Sequence, residues 1–478
     1  MILIKFLKVL RNISLFTISS LLPQFSNFLL LPITTKYLTN TDFSIYGTIL
    51  AYNLLLQGFK SLGTDVLFIN SFFKDKLNWK KTWSKYLGIR FIWKHIFLVT
   101  QFSFLYLFIE LDDLVDNKIN IILLLVLSDY FFSVSNDVGG RYYISAKKPN
   151  FFFKLTITSV FLSSIVNYYL IVYCNYGYLS WFIGSFIFAF VSYIFNFYYL
   201  FFRLKIFPRF NFDLEFLTDS LKISLPLVPH NYSSFLLHSS DRIVLDRLNV
   251  NNESIGNYNI AYMIVNIFDR FGQAVGFVTN PIVNEFFAKN NQNAELQARN
   301  FLFGTQVFFI LIASSFSLLS KEIFSFIFND LYTEEISLIA TIMVMGMTYR
   351  PMYWATVNKL MFYEKTNVVW KISTVSGFLN LFLNLVFIPV FGFYSAVITT
   401  NVCLLILGFS GFFLKEYKKI QVVNYHELTW LIFIIILTVF ITLAQSLNLE
   451  IRIIIVFLIN FFPGFIFFRK GLYLKLRK

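Results

Sequence analysis

The chain has 478 residues, of which 57% are hydrophobic and 20% aromatic, with 63 phenylalanines; only 14% are charged. A soluble domain carries roughly 25% charged residues, so this composition, with a mean hydropathy of +0.65, excludes a water-soluble enzyme. The formal net charge of +14 would suggest nucleic acid in a soluble chain; in a membrane chain it first reports which loops face the cytoplasm, and no nucleic-acid partner is expected.

A bilayer core about 30 Å thick is crossed by about 20 apolar residues in a helix. The chain divides into fourteen such stretches: 13–35, 43–66, 88–109, 119–140, 153–173, 178–202, 223–245, 256–279, 301–320, 336–357, 370–390, 393–414, 428–446 and 451–469. Their length and lack of sustained alternation select helices over barrel strands, so the expected fold class is all-α integral membrane. The first stretch follows Lys5, Lys8 and Arg11, as a signal peptide would. Its apolar run is too long for one and ends in no small-residue cleavage site, so it reads as the first membrane helix.

With the N-terminus in the cytoplasm, the basic clusters fall inside: Lys74, Lys76, Lys80, Lys81 and Lys85; Arg141, Lys147, Lys148 and Lys154; Arg203, Lys205, Arg209 and Lys222; and the tail Arg469, Lys470, Lys475, Arg477 and Lys478. Outer segments carry Glu110, Asp112, Asp113 and Asp116, then Asp330, Glu334 and Glu335. This bias sets the orientation and places both termini in the cytoplasm. Cys174 and Cys403 are too few, and too apolar in setting, for a disulfide framework or metal site. No catalytic residue, metal or cofactor is expected.

The chain also aligns with itself. Ser44-Ile45 matches Ser254-Ile255 and Ala51-Tyr52 matches Ala261-Tyr262, a register that lays Lys60 on Arg270; further along, 148–154 resembles 365–371, and Asn167 pairs with Asn384. The matches run in order along both halves, which predicts two parallel six-helix lobes followed by an extra pair. The expected divisions are 1–202, a cytoplasmic linker at 203–222, a second lobe at 223–414, and a final helix pair with basic tail at 415–478. Parallel repeats about the membrane normal are a transporter architecture, with the substrate held where the lobes meet.

Charges inside the spans sharpen that reading, because each costs about 2.5 to 3.5 kcal/mol at the bilayer centre unless it meets water or a partner. Lys60 and Asp65 lie on the second span, Asp129 on the fourth, Asp241-Arg242 on the seventh, Asp269-Arg270 on the eighth and Arg350 on the tenth. Lys60 and Arg270, one from each lobe, are candidate cations for an anionic group; Arg270 paired to Asp269, with Lys60 snorkelling, is the alternative. Arg350, Asp241 and Arg242 are further substrate-binding candidates. Asp129 is either a proton or sodium site or a partner for Lys60 or Arg350. Lys94 and His95 read as interfacial, Arg141 and Lys359 as orientation charges at the inner mouth. Pro23, Pro32, Pro226, Pro229, Pro281, Pro351 and Pro389 interrupt spans, freeing backbone groups that neighbours or water must satisfy.

The chain resembles the lipid-linked oligosaccharide flippases and polysaccharide exporters of the multidrug/oligosaccharidyl-lipid/polysaccharide superfamily. The resemblance lies in Leu225-Pro226 leading to Ser240-Asp241-Arg242, in Ser254-Ile255-Gly256-Asn257-Tyr258 followed by Ala261-Tyr262, in Asn280-Pro281, and in Asn380 to Asn384 with Pro389 and Gly392 to Ala396. It implies export of an undecaprenyl-pyrophosphate-linked sugar unit from the inner to the outer leaflet of a bacterial plasma membrane, for O-antigen, capsule or a related glycan. It further implies coupling to a proton or sodium gradient, with Asp129, Asp269 and Asp65 as candidates, and partners that include membrane lipids, a polysaccharide polymerase and other assembly proteins. Two competitors are a cation-coupled drug antiporter of the same superfamily, disfavoured by the Lys60 and Arg270 cations, and a multi-span polymerase or glycosyltransferase. The enzyme usually needs catalytic groups on sizeable outer loops, which are short here.

Overall fold

The computed structural model describes residues 2–75, 77–109, 117–211, 214–225, 227–328, 334–363 and 365–469, and among these every regular element is a helix. The acidic segment 110–116, Asp330, Pro226, Lys76 and the tail from Lys470 lie outside the described residues. The chain forms two compact units, Met1–Gly256 and Asn257–Lys478.

Unit 1 holds α1 (Ile2–Thr34), α2 (Asn40–Lys60), α3 (Asp65–Lys74), α4 (Trp79–Phe108), α5 (Lys118–Ser128), α6 (Val134–Ser145), α7 (Pro149–Val172), α8 (Leu179–Phe197), α9 (Leu214–Ser224), α10 (Leu227–His238) and α11 (Ser240–Arg247). A π-helical turn, Asp129–Ser133, joins α5 to α6 without leaving the helix axis, and another, Tyr198–Arg203, ends α8. Helix α12 (Asn252–Ala288) carries the chain into unit 2. There follow α13 (Gln292–Leu318), α14 (Ser320–Phe328), α15 (Glu334–Gly346), α16 (Arg350–Phe362), α17 (Thr366–Phe391), α18 (Tyr394–Phe409), α19 (Lys415–Ile420), α20 (Glu427–Ala444) and α21 (Leu449–Arg469).

Three helix pairings of one unit have counterparts in the other. In unit 1, α4 packs on α5, α5 on α8 and α7 on α8; in unit 2, α13 packs on α15, α15 on α18 and α17 on α18. The final pair, α20 and α21, packs on α13, where Gln445 donates to Ser317 O at 3.0 Å and Ser320 Oγ at 2.8 Å in the buried interior. Helices α10 and α11, which the repeat assigns to the second lobe, pack on α2 within unit 1. Tyr52 donates to Asp246 at 2.6 Å, and the Tyr232 hydroxyl donates to Leu55 O.

Nine helices are long and apolar enough to cross a membrane among the described residues, and they coincide with the first, third to sixth, ninth and eleventh to thirteenth predicted spans. The protein is a multi-pass membrane protein. Among the described residues no such helix is found at the second, seventh, eighth, tenth and fourteenth predicted spans, and each of these carries charge. Three of them are also broken: the second at 61–64, the seventh at Ser239, and the tenth by a 3-10 turn, Met347–Tyr349. Polar side chains and a break in the helix go together because a freed backbone group and a charge both need a polar partner at that depth.

Candidate functional site

The second predicted span, expected as one helix, is two. Ser61 to Thr64 turn the chain between α2 and α3, with Leu62 and Gly63 at φ 49° and 68°. The left-handed region costs glycine little and Leu62 more, so the turn has to be held from outside. Thr64 Oγ donates to Ser61 O at 2.7 Å. Lys60 ends α2 and Asp65 begins α3, so each charge faces the helix terminus whose partial charge it complements.

Each side of the break is held by charged side chains of neighbouring helices. Lys60 Nζ lies 3.3 Å from Asp129 Oδ1, at the first residue of the π turn. The other oxygen of Asp129 accepts from Gln57 at 2.7 Å and Gln101 at 2.8 Å, and Gln101 also donates to Asn53 at 2.8 Å. This pair is largely shielded, with side chains 21% and 14% exposed. On the α3 side, Arg90 of α4 is buried; it donates to Asp65, to Thr64 at 2.8 Å and to Asp137 at 3.5 Å, and its guanidinium lies 5.3 Å above the Phe68 ring. Arg141, partly exposed, reaches the second Asp65 oxygen at 3.4 Å. A buried guanidinium is tolerable only with this degree of pairing.

Unit 2 has its own cluster. Arg350, at the start of α16 and followed by Pro351 in its first turn, donates to the Asp269 carboxylate and, at 3.0 Å, to Asp269 O. Gln273 donates to the same carboxylate at 2.7 Å. Gly272 makes the approach possible, since a Cβ there would lie 2.8 Å from the Arg350 guanidinium; Gly276, one turn on, does the same for Trp354. Arg270 stands at the midpoint of the 37-residue α12, is exposed, and donates to Gln273 at 3.2 Å; among the described residues it joins no ion pair.

The predicted site residues thus separate into three settings. Lys60, Asp129 and Asp65 belong to the unit 1 network, and Asp269, Arg270 and Arg350 to the unit 2 cluster. Of the alternatives for Asp129, the structure realises the pairing with Lys60; Arg350 takes Asp269. Asp241 and Arg242 are buried on α11, where the Asp241 carboxylate accepts the Arg242 N–H at 3.0 Å and the Arg242 guanidinium donates to His238 O at 3.3 Å.

One sequence reading is corrected. Lys359, taken as an orientation charge, is wholly buried and bonds both oxygens of Glu295, at 2.7 and 2.8 Å. Helix α13 begins at Gln292, before the predicted start at 301, and that first turn brings Glu295 beneath Lys359. Arg90 and Asp137 were not singled out; Arg90, in the first turn of a predicted span, was the signal available. Arg452, buried on α21, pairs with Glu322 at 2.5 Å and was likewise missed.

Residues 9–287 match the family model described as polysaccharide biosynthesis protein. Among solved structures, a lipid II flippase MurJ in an inward closed conformation superposes with a TM-score of 0.65 at 16% identity, over 91% of this chain and 98% of that one. An inward-facing multidrug resistance MATE family transporter gives 0.63 at 12% identity, over 83% and 93%. A MOP superfamily transporter from Pyrococcus furiosus with a binding pocket of reverse polarity gives 0.54 at 15% identity, over 84% and 94%. No curated protein matches. The fold is that of the MOP transporters.

Proposed function

The chain belongs to the polysaccharide biosynthesis protein family, and we propose that it is a flippase carrying an undecaprenyl-pyrophosphate-linked oligosaccharide from the inner to the outer leaflet of a bacterial plasma membrane. The load would be a repeat unit of O-antigen, capsule or a related glycan, and its carriage needs alternating access and no covalent chemistry. The observation that carries this reading is Arg270. An exposed guanidinium at the midpoint of a helix expected to cross the membrane costs about 2.5 to 3.5 kcal/mol against hydrocarbon and is favoured on a face that meets water. A guanidinium on a wet face suits a phosphate, because its planar fork binds two oxygens at once. The pyrophosphate is the part of the load least able to cross lipid, so a cation at mid-depth stabilises it where it most needs a partner.

Lys60 and Arg350 would add to that field, and Asp241 and Arg242 would shape it. Asp129, Asp269 and Asp65, each bonded to a cation in the structure, are the candidates for coupling to a proton or sodium gradient. Both termini would lie in the cytoplasm, and a polysaccharide polymerase would take the product on the far side.

Deletion with complementation tests the reading. A deletion strain should lose its surface glycan and regain it with the wild-type gene. Arg270→Lys should restore part of the display, and Arg270→Ala little, at equal protein level by immunoblot. A deletion strain that still displays its glycan refutes the route; full restoration by Arg270→Ala refutes the site.

A further inference from the structure

The segment joining α8 to α9 crosses the basic end of unit 1 in a conformation that neither water nor hydrocarbon explains. Ile206 donates its N–H to Leu200 O at 3.0 Å, and Arg209 donates its N–H to Ser84 O at 2.8 Å, which ties the strand to the start of α4. Leu204 and Ile206 turn inward and are buried. The outward row reads Phe202, Arg203, Lys205, Phe207, Arg209, Phe210, all exposed. Helix α9 continues the strap, with Phe216 stacked on Tyr86 at 5.3 Å and covered by the Lys85 ammonium at 4.6 Å.

Phe207 and Phe210 are 54% and 59% exposed, and Leu214, which begins α9, is 79% exposed. A run of apolar side chains this open is disfavoured in water. Irregular backbone interleaved with cations does not lie in hydrocarbon either. Lys74, Lys80 and Lys81 are exposed beside the strap, and Arg203, Lys205 and Arg209 have no side-chain partner among the described residues. Carboxylates are present as well: Glu215 is exposed, and Asp219 is engaged by Lys222 at 3.1 Å.

We propose that this strap is an interfacial collar that binds the anionic phospholipid headgroups of the leaflet facing the basic loops. Phe207, Phe210 and Leu214 enter the boundary between headgroups and acyl chains, while Arg203, Lys205 and Arg209 meet phosphates. The cations come from the irregular segment 203–209, the end of α3 and the start of α4, more than a single headgroup engages, so the occupant is the lipid surface. The collar is independent of the cargo reading and would hold for any load.

The test uses the full chain in nanodiscs of phosphatidylcholine with graded phosphatidylglycerol, and retained lipid is counted by native mass spectrometry. Arg203→Gln with Lys205→Gln and Arg209→Gln should weaken phosphatidylglycerol retention at least tenfold, since each basic residue near an anionic surface contributes about 1 kcal/mol. A control, Lys415→Gln with Lys418→Gln and Lys419→Gln, removes the same charge from exposed positions of unit 2 and should change retention less than twofold. A nitroxide on Phe207→Cys should report headgroup depth. Equal loss in strap and control variants, unchanged retention in the strap variant, or a nitroxide in bulk water would each overturn the proposal. So would retention restored by a few per cent of undecaprenyl pyrophosphate where phosphatidylglycerol fails, which would reassign the surface to a pyrophosphate lipid.

Discussion

The two units solve the same electrostatic problem with opposite signs. In unit 1 the second predicted span supplies the cation, Lys60, and the fourth the carboxylate, Asp129; in unit 2 the eighth supplies the carboxylate, Asp269, and the tenth the cation, Arg350. Both pairs sit at an irregular turn, π-helical at Asp129 between α5 and α6 and 3-10 just before Arg350 at the start of α16. The helix that gives Lys60 is broken, whereas the one that gives Asp269 runs unbroken for 37 residues. Pairing is therefore what membrane depth demands, and which helix carries which sign is free to vary. The two units also differ in balance. Lys60, Arg90 and Arg141 face Asp65, Asp129 and Asp137 in unit 1, while Arg350 alone absorbs Asp269 and leaves Arg270 as the surplus.

The strongest way to break this comparison is at Asp269. Asp269→Ala leaves the shielded Arg350 without its carboxylate and should lower stability by about 3 kcal/mol, read as a fall in Tm in detergent. Asp269→Arg with Arg350→Asp gives unit 2 the sign order of unit 1 and should recover most of that loss. If display of the glycan returns as well, the sign order serves only folding; if stability returns without display, it serves transport.

A smaller effect is expected from the glycine that admits Arg350. Gly272→Ala places a methyl against the guanidinium and should cost about 1 to 3 kcal/mol. In unit 1, Gly140 lies in α6, where a methyl on its Cα would meet nothing within 4 Å, so Gly140→Ala should stabilise by about 0.5 to 1 kcal/mol. Thermal unfolding of both variants side by side checks the contrast.

Arg270→Ala should separate function from fold: display falls while Tm moves by less than about 2 °C, because no ion pair is broken. The smallest effect is at Lys222, an exposed partner of Asp219. Lys222→Ala should change stability by less than about 0.5 kcal/mol, measured by the same unfolding assay.

The sequence showed most of the helices and several of the charges that pair within them, and it left their partners open, Asp129 being offered to Lys60 or Arg350. Lys60, Asp129, Asp269 and Arg350 stand out because a charge in an apolar window is visible locally. Their pairing is not, since Lys60 meets Asp129 across 69 residues and Arg350 meets Asp269 across 81. Lys359 shows the same limit from the other side: at the end of an apolar run it looks like a topology charge, and only the early start of α13 buries it on Glu295.

Hydropathy over about 20 residues is a local sum, so the sequence by itself determined that this is a membrane protein built of helices. The helix break at Ser61 to Thr64, the π turn at Asp129, the strap across α4 and the choice of ion partners were decided by the tertiary structure. Each depends on which helices pack together, and packing is a sum over residues far apart in the chain.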